Sequence, residues 1–237
     1  MRTGNNTYGK IMSLNSALTL IRDGIRLMYG GFGGIGSPPS LIDAIYEAGV
    51  KDLILIGNDS GFPDIGIGKL VTARRASKLI TSHIGSNPNA GDLMNLGELE
   101  VEFSSQGTLA ERIRAGGVGL GGILTDIGLG TQVEENKQVV MVDGEKFLLE
   151  TPLTADVAIV YAAKADPFGN LVYNKTARNF NPLVAMAGST TIAEVDEIVP
   201  LGDLDPEEIV TPGVFVDVIV RSKGVNWKWV WEQRKDK

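Results

Sequence analysis

Glycine in this chain gathers behind short apolar runs, and that arrangement restricts the fold more than any other feature. The 30 glycines of the 237-residue chain concentrate at 30–36, 57–68 and 116–130. Glycine is needed where the backbone takes φ > 0 or closely approaches a ligand or another segment. The run 25–29 reads as an apolar strand, 30–36 as a glycine turn, and the next segment as a helix. Ser37 is its expected cap, Pro38 its first residue, Leu41, Ile42, Ile45 and Tyr46 its buried stripe, and Gly49 its stop. Residues 53–56 are uninterrupted Leu and Ile, the pattern of a strand covered on both faces.

The same order recurs. Residues 78–81 and 99–103 read as strands, and 108–115 as the helix after the second. A helix over 13–21 has Ser13 as cap and Asp23-Gly24 as stop. Asp143-Gly144 between two strand-like halves predicts a hairpin over 139–149. Further strands are expected at 156–161 and 214–220. The fold class is therefore α/β: a single domain with a mainly parallel sheet flanked by helices, plus a small β-hairpin. The expected division is a flexible leader over 1–12, the domain over 13–222 and a tail over 223–237. In the tail, Trp227, Trp229 and Trp231 alternate with period two. They predict an edge strand covering a subunit contact or packing back on the core.

Composition removes several function classes. A net charge of −7 argues against non-specific nucleic-acid binding, which needs a basic surface. With no cysteine, the chain has no disulfide, thiolate nucleophile or cysteine-ligated metal. One histidine, His83, makes a Ser-His-Asp triad hard to build and a multi-histidine metal site impossible, so no metal is expected. His83 itself reads as a satisfied structural histidine. No apolar run approaches the roughly 20 residues of a spanning helix, and residues 1–10 lack the apolar core of a secretory signal. A cytoplasmic protein without membrane contact is the expectation.

In open parallel sheets ligands bind beyond the carboxyl ends of the strands. The segments expected there are 30–36, 58–61, 83–87 and 104–108. They carry Asn58, Asp59, Ser60, His83, Ser86, Asn87 and Gln106. Amides and hydroxyls of this kind suit hydrogen bonding to a carbonyl, carboxylate or oxyanion better than acid–base work. The turn itself, Gly31-Phe32-Gly33-Gly34-Ile35-Gly36, also fits the dinucleotide pattern G-x-G-x-x-G, with Asp59 placed to bind a ribose. An NAD(P)-dependent oxidoreductase is thus an alternative, and a ligand-free tight turn is the plain one.

Asp23-Gly24, Leu27-Met28-Tyr29, Gly30-Gly31-Phe32, Gly36 and Pro38 resemble the alpha-subunit signature of family I (3-oxoacid) coenzyme A transferases. Tyr29 departs from it, a smaller aliphatic residue being usual there. The likeness continues through Gly57-Asn58-Asp59, 82–88, 98–103, 106–117, 166–170, 175–182 and 211–213. Within the family it is nearest to the acetate or butyrate–acetoacetate CoA-transferase branch.

The resemblance implies the CoA-transferase/NagB-like fold and ping-pong transfer of CoA between acetoacetyl-CoA, or another short-chain acyl-CoA, and acetate or butyrate. It implies no tightly bound cofactor, the CoA thioester being a substrate. In the family the nucleophilic glutamate lies in a Ser-Glu-Asn-Gly type motif of the beta subunit, and this chain contains no such motif. Glu98, Glu100, Glu111 and Glu134 lack that context and read as solvated surface charges. The implied partner is a beta subunit, in a heterotetramer.

By position in the resemblance, Asn58 donates to the oxyanion hole and Gln106 lines the adjoining acyl or carboxylate pocket. Gly30, Gly31, Phe32, Gly33, Gly34, Ile35 and Gly36 lie against the CoA or acyl site with backbone N–H groups as donors. They either touch CoA or shape the pocket.

Overall fold

The computed structural model describes residues 6–225. In chain order the elements are α1 (Leu14–Leu18), β1 (Arg26–Tyr29), α2 (Pro39–Glu47), β2 (Leu53–Ile56), α3 (Gly68–Thr72) and β3 (Ala76–Thr81). Next come α4 (Pro88–Asn95), β4 (Glu100–Phe103), α5 (Gln106–Gly117), β5 (Ile123–Thr125), β6 (Val139–Val142) and β7 (Glu145–Glu150). The chain continues through β8 (Ala155–Ala165), β9 (Leu171–Val172), α6 (Asn181–Ala187), β10 (Gly188–Ile198) and β11 (Val218–Arg221).

The main sheet runs β11-β10-β8-β1-β2-β3-β4, every neighbouring pair parallel, with β9 antiparallel against β8. Alternation along each strand splits the apolar residues between two faces. Leu27 and Tyr29 of β1 join the cluster under α1–α4, whereas Met28 joins the cluster under α5 and α6. The chain builds outward from β1 through β2, β3 and β4, then returns to β8 on the other side. The β1/β8 boundary is therefore the switch point of the strand order, where such sheets open a crevice. The glycine turn 30–36 leaves β1 at that point.

The expected hairpin is β6–β7, and β5 adds a third antiparallel strand to it. Other expectations are corrected. Residue 38, not 37, holds the cap position of α2, Pro39 is at its start, and no side chain of its own segment caps it. Its first N–H groups are met instead by Glu194 of β10, which accepts from Ser40 N at 3.0 Å and Leu41 N at 2.9 Å. Tyr46 is exposed and not part of the buried stripe. The last strand begins at Val218, because residues 213–215 form a 3-10 turn after Pro212. Ser13 does cap α1, accepting from Ser16 N at 3.1 Å, but the helix ends at Leu18.

The stretch expected as a leader is tied down at its end. Met12 N donates to Ile219 O, Ile219 N donates to Lys10 O, and Lys10 Nζ reaches Gly213 O at 2.7 Å. The three tryptophans of the tail lie outside the described residues. Among the described residues no helix is long and apolar enough to cross a membrane.

Candidate functional site

All four segments beyond the strand ends meet in one cleft of about 500 Å³. Phe32, Gly33, Asn58, Asp59, Phe62, Ser82, His83, Ser86 and Gln106 line it. Asn58 follows β2 and is only 2% exposed. Gln106 opens α5, so the cleft also faces the N-terminal end of a 12-residue helix, which favours negative charge.

The amides are bonded to each other. Gln106 Nε2 donates to Asn58 Oδ1 at 2.7 Å, and Ser82 Oγ lies 3.3 Å from the same oxygen. Asn58 Nδ2 donates to Asp59 Oδ2 at 2.8 Å. An amide nitrogen carries two hydrogens, so Asn58 and Gln106 each keep one N–H beyond these bonds.

Asp59 supports the site from behind. Its Oδ2 also accepts from Gly33 N and its Oδ1 from Gly61 N, both at 2.8 Å. Its carbonyl accepts from Tyr29 Oη at 2.6 Å. Burial, and secondarily the Asp59 charge, push the Tyr29 phenol well above its ordinary value, so it remains a donor. The Tyr29 ring occupies space that a side chain at 57 would need: a Cβ on Gly57 would fall 2.3 Å from the ring. Tyr29 and Gly57 thus fit as a pair.

Asp59 is buried and its carboxylate accepts three hydrogen bonds from its own loops, so it works as a loop support, and the oxidoreductase reading has no structural support here. The glycine turn is likewise filled by its own chain. A Cβ on Gly30 would lie 1.8 Å from Asn181 Oδ1, and one on Gly31 2.1 Å from Ser37 Oγ. Gly30 donates to Ile159 O, Gly31 to Asn179 Oδ1, Phe32 to Ile35 O, Gly33 to Asp59 and Ile35 to Phe32 O. Only the N–H groups of Gly34 and Gly36 make no hydrogen bond among the described residues. The glycines chiefly let the turn pack on segment 177–181.

His83 departs from expectation. Its backbone carries the structural bond, accepting from Ser60 N at 3.0 Å, while its exposed ring lines the cleft without a hydrogen bond of its own. Ser60 and Asn87 are buried behind the cleft, Asn87 Nδ2 donating to Ser60 O at 3.2 Å. Glu98, Glu100 and Glu111 pair with Arg74, Lys78 and Arg114, and Glu134 accepts from Gly130 N. None of the four lines the cleft. Glu150 and Glu194 escape sequence reasoning. Both are buried and partnered, Glu150 by Lys137 at 2.5 Å and Arg112 at 3.7 Å. No group of three or more metal-ligating side chains occurs among the described residues.

This cleft, with paired amides and no uncommitted carboxylate, sits in a sequence whose residues 11–222 match the family model described as coenzyme A transferase. The chain belongs to the coenzyme A transferase family. The alpha subunit of acetate CoA-transferase from Escherichia coli is 51% identical over 90% of this chain and 97% of its own. The acetoacetyl-CoA:acetate/butyrate CoA transferase alpha subunit of Clostridium acetobutylicum is 46% identical over 90% and 97%.

Among solved structures, an acyl-CoA transferase from E. coli O157:H7, in a thioester complex with CoA, superposes with TM-score 0.81 at 24% identity. It covers 91% of this chain and 48% of its own, so this chain spans about half the length of that one. The likeness establishes the coenzyme A transferase fold. This transferase subunit therefore combines the family's sheet with a cleft of amide donors.

Proposed function

We propose that this chain is the alpha subunit of an enzyme moving CoA between acetoacetyl-CoA, or another short-chain acyl-CoA, and acetate or butyrate. The nucleophilic glutamate comes from a beta subunit, in a cytoplasmic heterotetramer. The observation that carries the reading is the composition of the cleft. It offers spare N–H groups on Asn58 and Gln106, and the acid among its lining residues, Asp59, is tied down by three hydrogen bonds from its own loops.

The chemistry follows from what such a cleft can supply. The partner's carboxylate attacks the thioester carbonyl, and the tetrahedral intermediate expels CoA thiolate to leave an acyl-glutamyl anhydride. The thiolate then attacks the glutamyl carbonyl, releasing the first acid and leaving a glutamyl-CoA thioester. An incoming carboxylate attacks that thioester, and the released thiolate takes the new acyl group. Each step places negative charge on a carbonyl oxygen. Asn58 and Gln106 donate to it from fixed positions, without reorganising at the moment of reaction. The N-terminal end of α5 adds to the same polarity.

The test is to mix the alpha–beta complex with acetoacetyl-CoA, omit the acceptor acid, and weigh each subunit intact. A CoA adduct on the beta subunit, lost on adding acetate, is the expected result. An adduct on this chain, or none on either, contradicts the reading.

A further inference from the structure

Phe32 also lines a second cavity, of about 530 Å³, with Ile35, Lys175, Thr176, Arg178 and Asn179. Its two cations are exposed and make no ion pair or side-chain hydrogen bond among the described residues. They belong to a 3-10 turn, residues 175–178, whose Lys175 has φ +51° and whose following residue Asn179 has φ +20°. Non-glycine residues held at such angles are strained, and the surrounding structure must hold them there.

Asn179 does so with every polar position of its side chain. Its Oδ1 accepts from Gly31 N and Phe180 N, and its Nδ2 donates to Ile35 O and Thr176 O. The cationic turn is thus stapled to the glycine turn. Phe32, 52% exposed, stands between the cations and the Asn58–Gln106 cleft.

Two unpaired cations sharing a cavity with an exposed aromatic ring suit a ligand with phosphates and a flat apolar ring, since guanidinium and ammonium groups bind phosphate and aromatic faces stack on bases. We infer that Lys175 and Arg178 bind the phosphates of the CoA nucleotide head, with Phe32 against its base, while the pantetheine arm runs past Phe32 to the amide cleft. This rests on the transferase reading, and it gives the glycine turn a use: it carries Phe32 at the wall shared by the two cavities.

The test uses the assembled alpha–beta enzyme and a Lys175→Gln/Arg178→Gln variant, with calorimetric binding of CoA, 3′-dephospho-CoA and pantetheine. The variant is expected to lose roughly tenfold or more of its CoA affinity, as for bonds to charged groups, with pantetheine binding unchanged. In kinetics, KM for acetoacetyl-CoA rises and kcat is retained. If dephospho-CoA loses affinity as CoA does, the contact is to the pyrophosphate; if it behaves like pantetheine, the contact is to the 3′-phosphate. Either supports the inference.

Unchanged CoA affinity, or equal loss for CoA and pantetheine, overturns it. So does a variant that no longer holds the beta subunit in gel filtration, which would make the cations a subunit contact. An inactive wild-type complex would instead sink the transferase reading itself.

Discussion

Gln106 Nε2 donates to Asn58 Oδ1 over 2.7 Å, joining two residues 48 positions apart, one just past the end of β2 and the other at the start of α5. The bond fixes both amides, and each retains one hydrogen for a substrate oxygen. In the alpha–beta complex, Asn58→Ala is expected to lower kcat about 10²-fold, the usual loss for one oxyanion donor. Gln106→Ala combined with it should cost less than the sum of the two single losses, because each amide orients the other. Steady-state kinetics of the three variants check this, and strict additivity counts against a shared role.

Tyr29 donates to Asp59 O at 2.6 Å from a buried ring packed over Gly57. Tyr29→Phe keeps the ring and strips a buried carbonyl of its donor. The expected cost is about 1–3 kcal/mol, read by urea unfolding. A change within error would mean that the hydroxyl does not support the loop.

The fold is legible in the sequence where local pattern and final environment agree. The glycine turn, the β2 run of Leu and Ile and the Asp143-Gly144 hairpin can each be read from neighbouring residues. β10 cannot. Residues 188–198 carry Thr, Asp and Glu, and their strand identity comes from β8 and β11 on either side. Glu194 is fully buried there only because α2, distant in sequence, presents its N–H groups to it. Local rules point to Ser37 as the cap, and none points to a glutamate so far along the chain. For the site, the loops carrying Asn58 and Gln106 are legible from strand ends and the family likeness. The exposed ring of His83 and the occupied oxygens of Asp59 depend on packing that sequence does not display.

Glu194 also sets a pH signature. Burial raises its carboxyl above the ordinary value of 4.5, although bonds from Ser222, Leu41 and Ser40 oppose the rise. The folded state then holds this proton more tightly than the unfolded one. The associated stability is present below about 4.5 and lost as pH climbs through the folded value. Glu194→Gln removes that dependence. The stability of the variant relative to wild type is therefore expected to rise with pH above 4.5, measured by urea titration at a series of pH values. A pH-independent difference contradicts it.

Arg112 joins α5 to the small sheet and to β4. It donates to Thr151 O at 2.9 Å and Glu102 at 3.1 Å, and lies 3.7 Å from the buried Glu150, which also takes Lys137. Burial alone would raise the Glu102 carboxyl, but Lys78 and Arg112 together hold it below its ordinary value. Glu150→Ala leaves buried positive charge without its partner and is expected to cost about 3–5 kcal/mol in denaturant unfolding. A loss under about 1 kcal/mol, the scale of an exposed pair, would show that Glu102 and Thr151 suffice.

The central claim is that this chain supplies donors and its partner supplies the nucleophile. It is tested most directly by following loss of acetoacetyl-CoA with acetate or butyrate, using this chain alone and then the co-purified alpha–beta complex. Transfer by the complex and none by the lone chain is the predicted result. Transfer by the lone chain would place a nucleophile among its own residues and contradict the account.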